Sequence, residues 1–232
     1  MKEVADPDLL NNYIESYGLQ KVFPKALLPY LTLHGFDQGE LICTQGEPSH
    51  TMYVLVRGKI KIYNTSPEGR RLVISFKNPL EIIGDVEYIR DGDIINTVEA
   101  VSPVHMIGVE YRWLRKYGAD HSPLLHFLLD IITKKFYMKS SSMSFNLLYP
   151  VEIRLASYLL SVSFDEADAR FQGKLGTADL ADAANLIGTS YRHLNRVLQK
   201  FAALGLIERS REGITVKDRE GLHKLASRNI YE

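Results

Sequence analysis

Arg192, Asn195, Arg196 and Lys200, with Gln199 between the last two, recur at one-, three- and four-residue steps and so share one side of a helix. Their chemistry suits a nucleic acid. An arginine fork fits the edge of guanine or a phosphate, an asparagine amide carries the donor and acceptor that adenine requires, and a lysine is a point charge for phosphate. Leu194, Val197, Leu198, Phe201 and Leu204 mark the opposite, buried side. From Ser190 to Arg211 five basic residues (Arg192, Arg196, Lys200, Arg209, Arg211) face one acid, Glu208, a local charge of +4. The chain as a whole has 28 basic and 28 acidic residues, so this clustering, and not overall basicity, carries the nucleic-acid argument. The bland alternative is a solvated basic face with no partner.

The neighbouring residues decide between the two. Leu180, Ala183, Ala184 and Ile187 form one face of a preceding helix, Gly188 supplies a tight turn, and Ser190 caps the helix that follows. This is a helix-turn-helix whose second helix spans about 190–203, and the first residues of such a helix reach base edges in the major groove. Arg192, Asn195 and Arg196 are the base-contact candidates. Thr189, Ser190, Tyr191, Lys200 and Arg211 complete the expected DNA-contacting set; whether Tyr191 and His193 read bases or only pack stays open. After Gly205, the runs Leu206–Glu208 and Gly213–Val216 flank the turn Arg211-Glu212-Gly213 as a β-hairpin wing. Arg209 and Arg211 lie near the DNA backbone in this reading.

Other elements must position that unit. Up to about Phe36 the spacing of Leu9, Leu10, Tyr13, Ile14 and Tyr17 predicts one or two leading helices. From Gly39 to about Glu110, β-rich runs such as Thr51–Val56, Lys59–Tyr63 and Leu72–Phe76 alternate with glycine, proline and polar turns, as in a sandwich or rolled barrel. Ser122-Pro123 opens a helix of more than twenty residues with two apolar stripes, Leu125, Leu129, Ile132 and Phe136 beside Leu124, Leu128 and Ile131. A helix so widely apolar needs two neighbours, so one stripe covers the barrel and the other pairs with a second copy; packing on its own domain alone is the alternative. Tyr149-Pro150 interrupts the helix, Val151–Val162 resumes it, and Asp165–Gly173 reads as a polar loop. The fold class is α+β: a sensor domain at 1–120 with an antiparallel β-roll or jelly-roll barrel, a dimerisation helix at 121–148, and a winged helix-turn-helix at 149–232.

Composition removes other classes. With 45% hydrophobic and 24% charged residues the chain is that of a soluble globular protein. A single cysteine, Cys43, cannot supply a disulfide framework, an iron–sulfur cluster or a structural zinc site. It is expected to pack inside the barrel, and Trp113 to anchor the covering helices. No signal peptide or membrane span is visible, which places the protein in the cytoplasm with no membrane partner. Nucleotide-cradling, hydrolase-elbow and metalloprotease motifs are missing, so no enzyme is expected.

In this order of parts, Ile42–Glu47, Met52–Leu55 and Gly58 in the barrel, and Ile187–Leu198 in the second domain, resemble the CRP/FNR superfamily of bacterial transcription regulators over nearly the whole chain. The resemblance implies a parallel homodimer, a palindromic operator with half-sites about 34 Å apart, contact with RNA polymerase, and a small-molecule effector. It assigns the effector pocket to Gly84, Asp85, Val86, Asn96 and Thr97. Members that bind cAMP carry Gly-Glu and, about ten residues on, Arg-Ser or Arg-Thr. Here Gly84-Asp85 is followed by Ile95-Asn96-Thr97 with no arginine, so the expected effector is not cAMP. Scattered His34, His50, His105, His121 and His126 with Cys43 match neither the iron–sulfur nor the haem members, and each reads as structural. Tyr191-Arg192 stands where many members have Arg-Glu after the capping serine, so the target sequence differs from theirs. Two alternatives remain: a constitutively competent, ligand-free dimer, and a sensor or scaffold whose winged helix binds protein.

Overall fold

In the computed structural model, residues 2–67, 69, 71–162, 174–175, 179–210 and 213–226 are described. The polar loop expected at Asp165–Gly173 and the expected DNA contact Arg211 lie outside them. The chain divides into two compact units, Met1–Arg70 with Ile74–Phe136, and Arg71–Val73 with Tyr137–Glu232. No helix among the described residues is long and apolar enough to cross a membrane.

The first helix, α1 (Pro7–Ser16), starts where the Asp6 carboxylate accepts from the Leu9 amide at 2.9 Å and Pro7 occupies the first turn. Helix does not continue to Phe36, as the spacing suggested. Two short 3₁₀ turns follow, and Thr32–Phe36 is a strand, β2, with Leu33 opposite Ile107 and Phe36 opposite Val104 of β9 (Val104–Glu110). Five residues are too few for periodicity to separate the two states, and pairing with a distant strand decides. A further strand, β1 (Lys2–Glu3), pairs with β2.

The strands β4 (Thr51–Arg57) and β7 (Glu81–Ile83) extend that sheet in the order β1-β2-β9-β4-β7. A second sheet runs β3 (Leu41–Cys43), β8 (Thr97–Ala100), β5 (Ile60–Thr65), β6 (Arg71–Lys77). Side chains alternate across each strand, so Leu55 and Met106 join Ile60, Ile62 and Val98 in the core between the sheets. Val54, Val56, Ile107 and Val109 point the other way, into a second core with Leu19, Phe23, Leu27 and Leu33. The first sheet is therefore buried on both faces, which explains the unbroken apolar run at the end of β4. Cys43 packs beside the inter-sheet core, where burial pushes its thiol up to about 12. Trp113, on α3 (Tyr111–Tyr117), stacks on Tyr30 with ring centroids 3.9 Å apart, joining α3 to the leading segment as expected.

The long helix α4 (Ser122–Leu148) starts where Ser122-Pro123 indicated. Its stripe of Leu124, Leu128 and Ile131 is buried in the sensor core, while Leu129 and Phe136 stay 63% and 74% exposed. In the second unit α5 (Val151–Val162) follows, with α6 (Asp179–Leu186), α7 (Tyr191–Ala203) and the sheet β10 (Lys174–Leu175), β12 (Ile214–Val216), β11 (Ile207–Arg209) in that spatial order. A further helix, α8 (Arg219–Leu225), is capped by Asp218, which accepts from the Gly221 amide at 2.8 Å. Neither β10 nor α8 was legible in the sequence.

Candidate DNA interface and sensor pocket

The turn between α6 and α7 is built from backbone geometry. Gly188 sits at φ +65°, and the Thr189 amide donates to the Ala184 carbonyl at 2.9 Å, tying off the last turn of α6. Arg154, buried on α5, donates to the carbonyls of Ile187 and Gly188, the second at 3.3 Å. A cation on carbonyls at a helix C-terminus is favourable there. A side chain at 188 would meet the same guanidinium at 3.2 Å, so glycine serves both the backbone and the close approach. Ser190 then caps α7 by accepting from the His193 amide at 3.2 Å.

The two faces of α7 separate as its spacing requires. Leu194, Val197, Leu198 and Phe201 are buried, together with Leu180, Ala183, Ala184 and Ile187 of the preceding helix. Leu204 does not join them: it is 62% exposed, because the helix ends at Ala203 and Leu204 is its cap residue, off the helical stripe. Ser190, Tyr191, Arg192, Arg196 and Lys200 are exposed on the outer side, and Thr189 is half-buried in the turn. Lys200 lies 3.5 Å from Glu152 of α5. Glu152 is held below the usual carboxylate range, chiefly by a backbone amide and secondarily by Lys200. Such an exposed pair contributes little, so a phosphate can compete for Lys200.

Asn195 differs from the arginines around it. Its Nδ2 donates to the Tyr191 carbonyl at 3.1 Å, and its Oδ1 accepts from Arg209 Nη2 on β11 at 3.0 Å. The recognition helix and the wing are thus joined at this side chain. The wing hairpin closes with the Ser210 amide donating to the Gly213 carbonyl at 2.8 Å, and Glu208 pairs with Lys217 across the strands at 2.5 Å.

In the sensor unit, Gly84 caps α2 (Asp85–Arg90) at φ +88°; an added side chain would meet the Thr51 carbonyl at 2.7 Å and the Tyr111 hydroxyl at 2.8 Å. Asp85 is 2% exposed and Val86 half-buried. Thr97 is buried on β8, with Oγ1 accepting from the Gln45 amide at 3.1 Å. Asn96 is half-buried, and its carbonyl accepts a long contact of 3.8 Å from the Cys43 thiol.

The partner of Asp85 was not legible in the sequence. Lys135 of α4 places Nζ 2.9 Å from both Asp85 oxygens, 3.1 Å from Glu81 and 2.6 Å from the Ile82 carbonyl. Glu81 also pairs with Lys77 at 3.0 Å. Two lysines and two carboxylates thus neutralise one another beside the segment assigned to the effector pocket. Fifty residues separate Lys135 from Asp85 in the chain, so no local pattern announces the contact.

A cavity of about 430 Å³ lies nearby and has different walls: Ser49, His50, Glu87, Tyr111, Arg112 and Arg115 among others. None of Gly84, Asp85, Val86, Asn96 or Thr97 lines it. The two regions connect through Tyr111, whose hydroxyl donates to the Gly84 carbonyl at 2.8 Å and lies 2.5 Å from the Ser49 hydroxyl. Burial pushes the Tyr111 phenol up to about 12. The rim arginines are paired already, Arg112 with Glu110 at 2.7 Å and Arg115 with Asp91 at 2.6 Å.

Comparison with known proteins bears on both units. Residues 33–120 match the cyclic nucleotide-binding domain family, and residues 153–225 match the Crp-like helix-turn-helix domain family. A CRP-like cAMP-activated global transcriptional regulator of Mycobacterium tuberculosis is 24% identical over 216 residues, covering 90% of this chain and 94% of that protein. Regulatory protein YeiL of Escherichia coli O157:H7 is 27% identical over 194 residues, covering 84% and 85%. A transcriptional regulator of the CRP/FNR family from Thermus thermophilus shares the fold with a TM-score of 0.72 at 19% identity, over 85% of this chain and 99% of that one.

Proposed function

The chain belongs to the CRP/FNR superfamily and is a DNA-binding transcription regulator with a cyclic-nucleotide-binding-type domain, and from that premise we propose that it acts in the cytoplasm as a homodimer on a palindromic operator. Each α7 enters one half-site, with Arg192 and Arg196 at the base edges and Lys200 on the backbone. The observation that carries this reading is the Ser190-capped helix with an apolar inner face and both arginines exposed on the outer one. Dimerisation is supported by the exposed stripe of Leu129 and Phe136 on α4. At the promoter the dimer meets RNA polymerase, and it works without an iron–sulfur or haem group, consistent with a single cysteine.

The effector is not cAMP. No arginine follows Gly84-Asp85 at the expected distance, and Lys135, the cation that is present, is engaged by Asp85 and Glu81. An anionic phosphate in that segment would have to displace a carboxylate, at a desolvation cost. A second reading, a constitutively competent regulator, is favoured by the same observation, since Lys135 already joins the barrel to α4 without a ligand.

Selection from randomised duplex DNA at two salt concentrations tests the main reading, with Arg192→Ala and Arg196→Ala beside the wild type. A palindromic motif with steep salt dependence, degraded by both substitutions, is expected. No enrichment by the wild type, with or without a soluble extract of the source cells, would overturn it. Unchanged selection on adding cAMP, and a small molecule retained in native mass spectrometry, would separate an effector-driven dimer from the constitutive one.

A further inference from the structure

We infer that Asn195 is a positioning residue for Arg209, and that this wing arginine contacts a DNA phosphate while Asn195 itself reads no base. The inference rests on the DNA-binding reading above and changes how the interface is divided. To recognise adenine, an asparagine must present Nδ2 as donor and Oδ1 as acceptor together. In this protein both groups are engaged, Nδ2 by the Tyr191 carbonyl at 3.1 Å and Oδ1 by Arg209 Nη2 at 3.0 Å. One Nδ2 hydrogen and one Oδ1 lone pair are used in these bonds, which hold the amide toward Tyr191 and the wing, so turning it to a base would cost both hydrogen bonds.

The same geometry defines what Arg209 can do. A guanidinium has five N–H donors, and the amide occupies one. The amide is neutral, so it fixes the position of the guanidinium and leaves its full charge. The neighbouring acid does not quench that charge, because Glu208 pairs with Lys217 at 2.5 Å. Among the described residues no carboxylate pairs with Arg209. An exposed, oriented and unneutralised arginine fork on the wing next to a recognition helix suits a phosphate oxygen, where a charge-assisted bond is strong and independent of sequence. Base reading then falls to Arg192 and Arg196.

The test measures binding of the full chain to two duplexes, one recovered by wild-type selection and one of arbitrary sequence at low salt, where contacts to phosphate dominate. The variants are Asn195→Ala, Arg209→Ala, their double, and Arg209→Lys, with thermal melting of each as a folding control. Arg209→Ala is expected to weaken both duplexes about tenfold and to flatten the log–log salt slope by about 0.9. Asn195→Ala should weaken both by a smaller factor, the double should be no worse than Arg209→Ala, and the motif selected by Asn195→Ala should be unchanged. Arg209→Lys should restore the salt slope without full affinity, because the fork is lost. A motif relaxed at one base pair by Asn195→Ala, with additive losses in the double, would overturn the inference and make Asn195 a base reader. Wild-type protein that binds neither duplex would overturn the DNA-binding reading itself.

Discussion

Replacing Lys135 by methionine keeps most of the aliphatic stem and removes the cation that holds Asp85. Asp85 is 2% exposed and Lys135 supplies its ion pair, whereas Glu81 keeps Lys77 at 3.0 Å. Breaking a buried pair by removing one partner costs about 3–5 kcal/mol, because the other charge is left without compensation. The Lys135 side chain is 24% exposed and Glu81 stays paired, so the lower figure, about 3 kcal/mol, applies. At roughly 2–4 °C per kcal/mol the melting temperature should fall by roughly 6–12 °C. The chain has one tryptophan, Trp113, in the sensor unit, so its fluorescence during urea unfolding reports that unit without interference from the other. Adding Asp85→Asn to Lys135→Met removes the orphaned charge and should recover about half of the loss, a non-additive cycle of at least 1 kcal/mol in order of magnitude. A loss below about 1 kcal/mol for Lys135→Met, or strict additivity in the double, would refute the argument that Lys135 compensates a buried Asp85 charge.

Leu129→Glu with Phe136→Glu changes side chains exposed in the monomer, and sedimentation should show the dimer mass halved while the Trp113 transition stays near the wild-type midpoint. Burial holds His34 and His105 below the ordinary histidine value of 6.5, with Arg57 adding to the effect at His105. The unfolded chain therefore binds those protons more readily, so stability should be highest above the unfolded value and fall as pH drops through it. Melting at pH 7.5 and pH 5.5 checks this, and His34→Gln should reduce the slope. With its thiol raised to about 12 by burial, Cys43 should resist iodoacetamide in the native protein and react in urea, and peroxide should leave DNA affinity unchanged.

The polar outer face of α7, its apolar inner face, the glycine turn and the serine cap are all consequences of spacing within a few residues, so they could be read directly from the chain. The same holds for the start of α4 at Ser122 and for the β-rich run Lys59–Tyr63, which falls on β5 (Ile60–Thr65). By itself the sequence determined that a basic helix-turn-helix follows a β-rich domain and a long apolar helix. Tertiary structure decided the rest. Thr32–Phe36 is a strand only because β9 lies beside it. Asn195 reads in the sequence as one more base-contact candidate, and only the wing's proximity turns its acceptor toward Arg209. Asp85 reads as part of an effector segment, and only the path of α4 across the sensor unit brings Lys135 to it. Local periodicity encodes which face of an element is apolar, whereas a hydrogen bond or ion pair between residues tens of positions apart depends on where the chain returns, and nothing in the spacing of either partner records that.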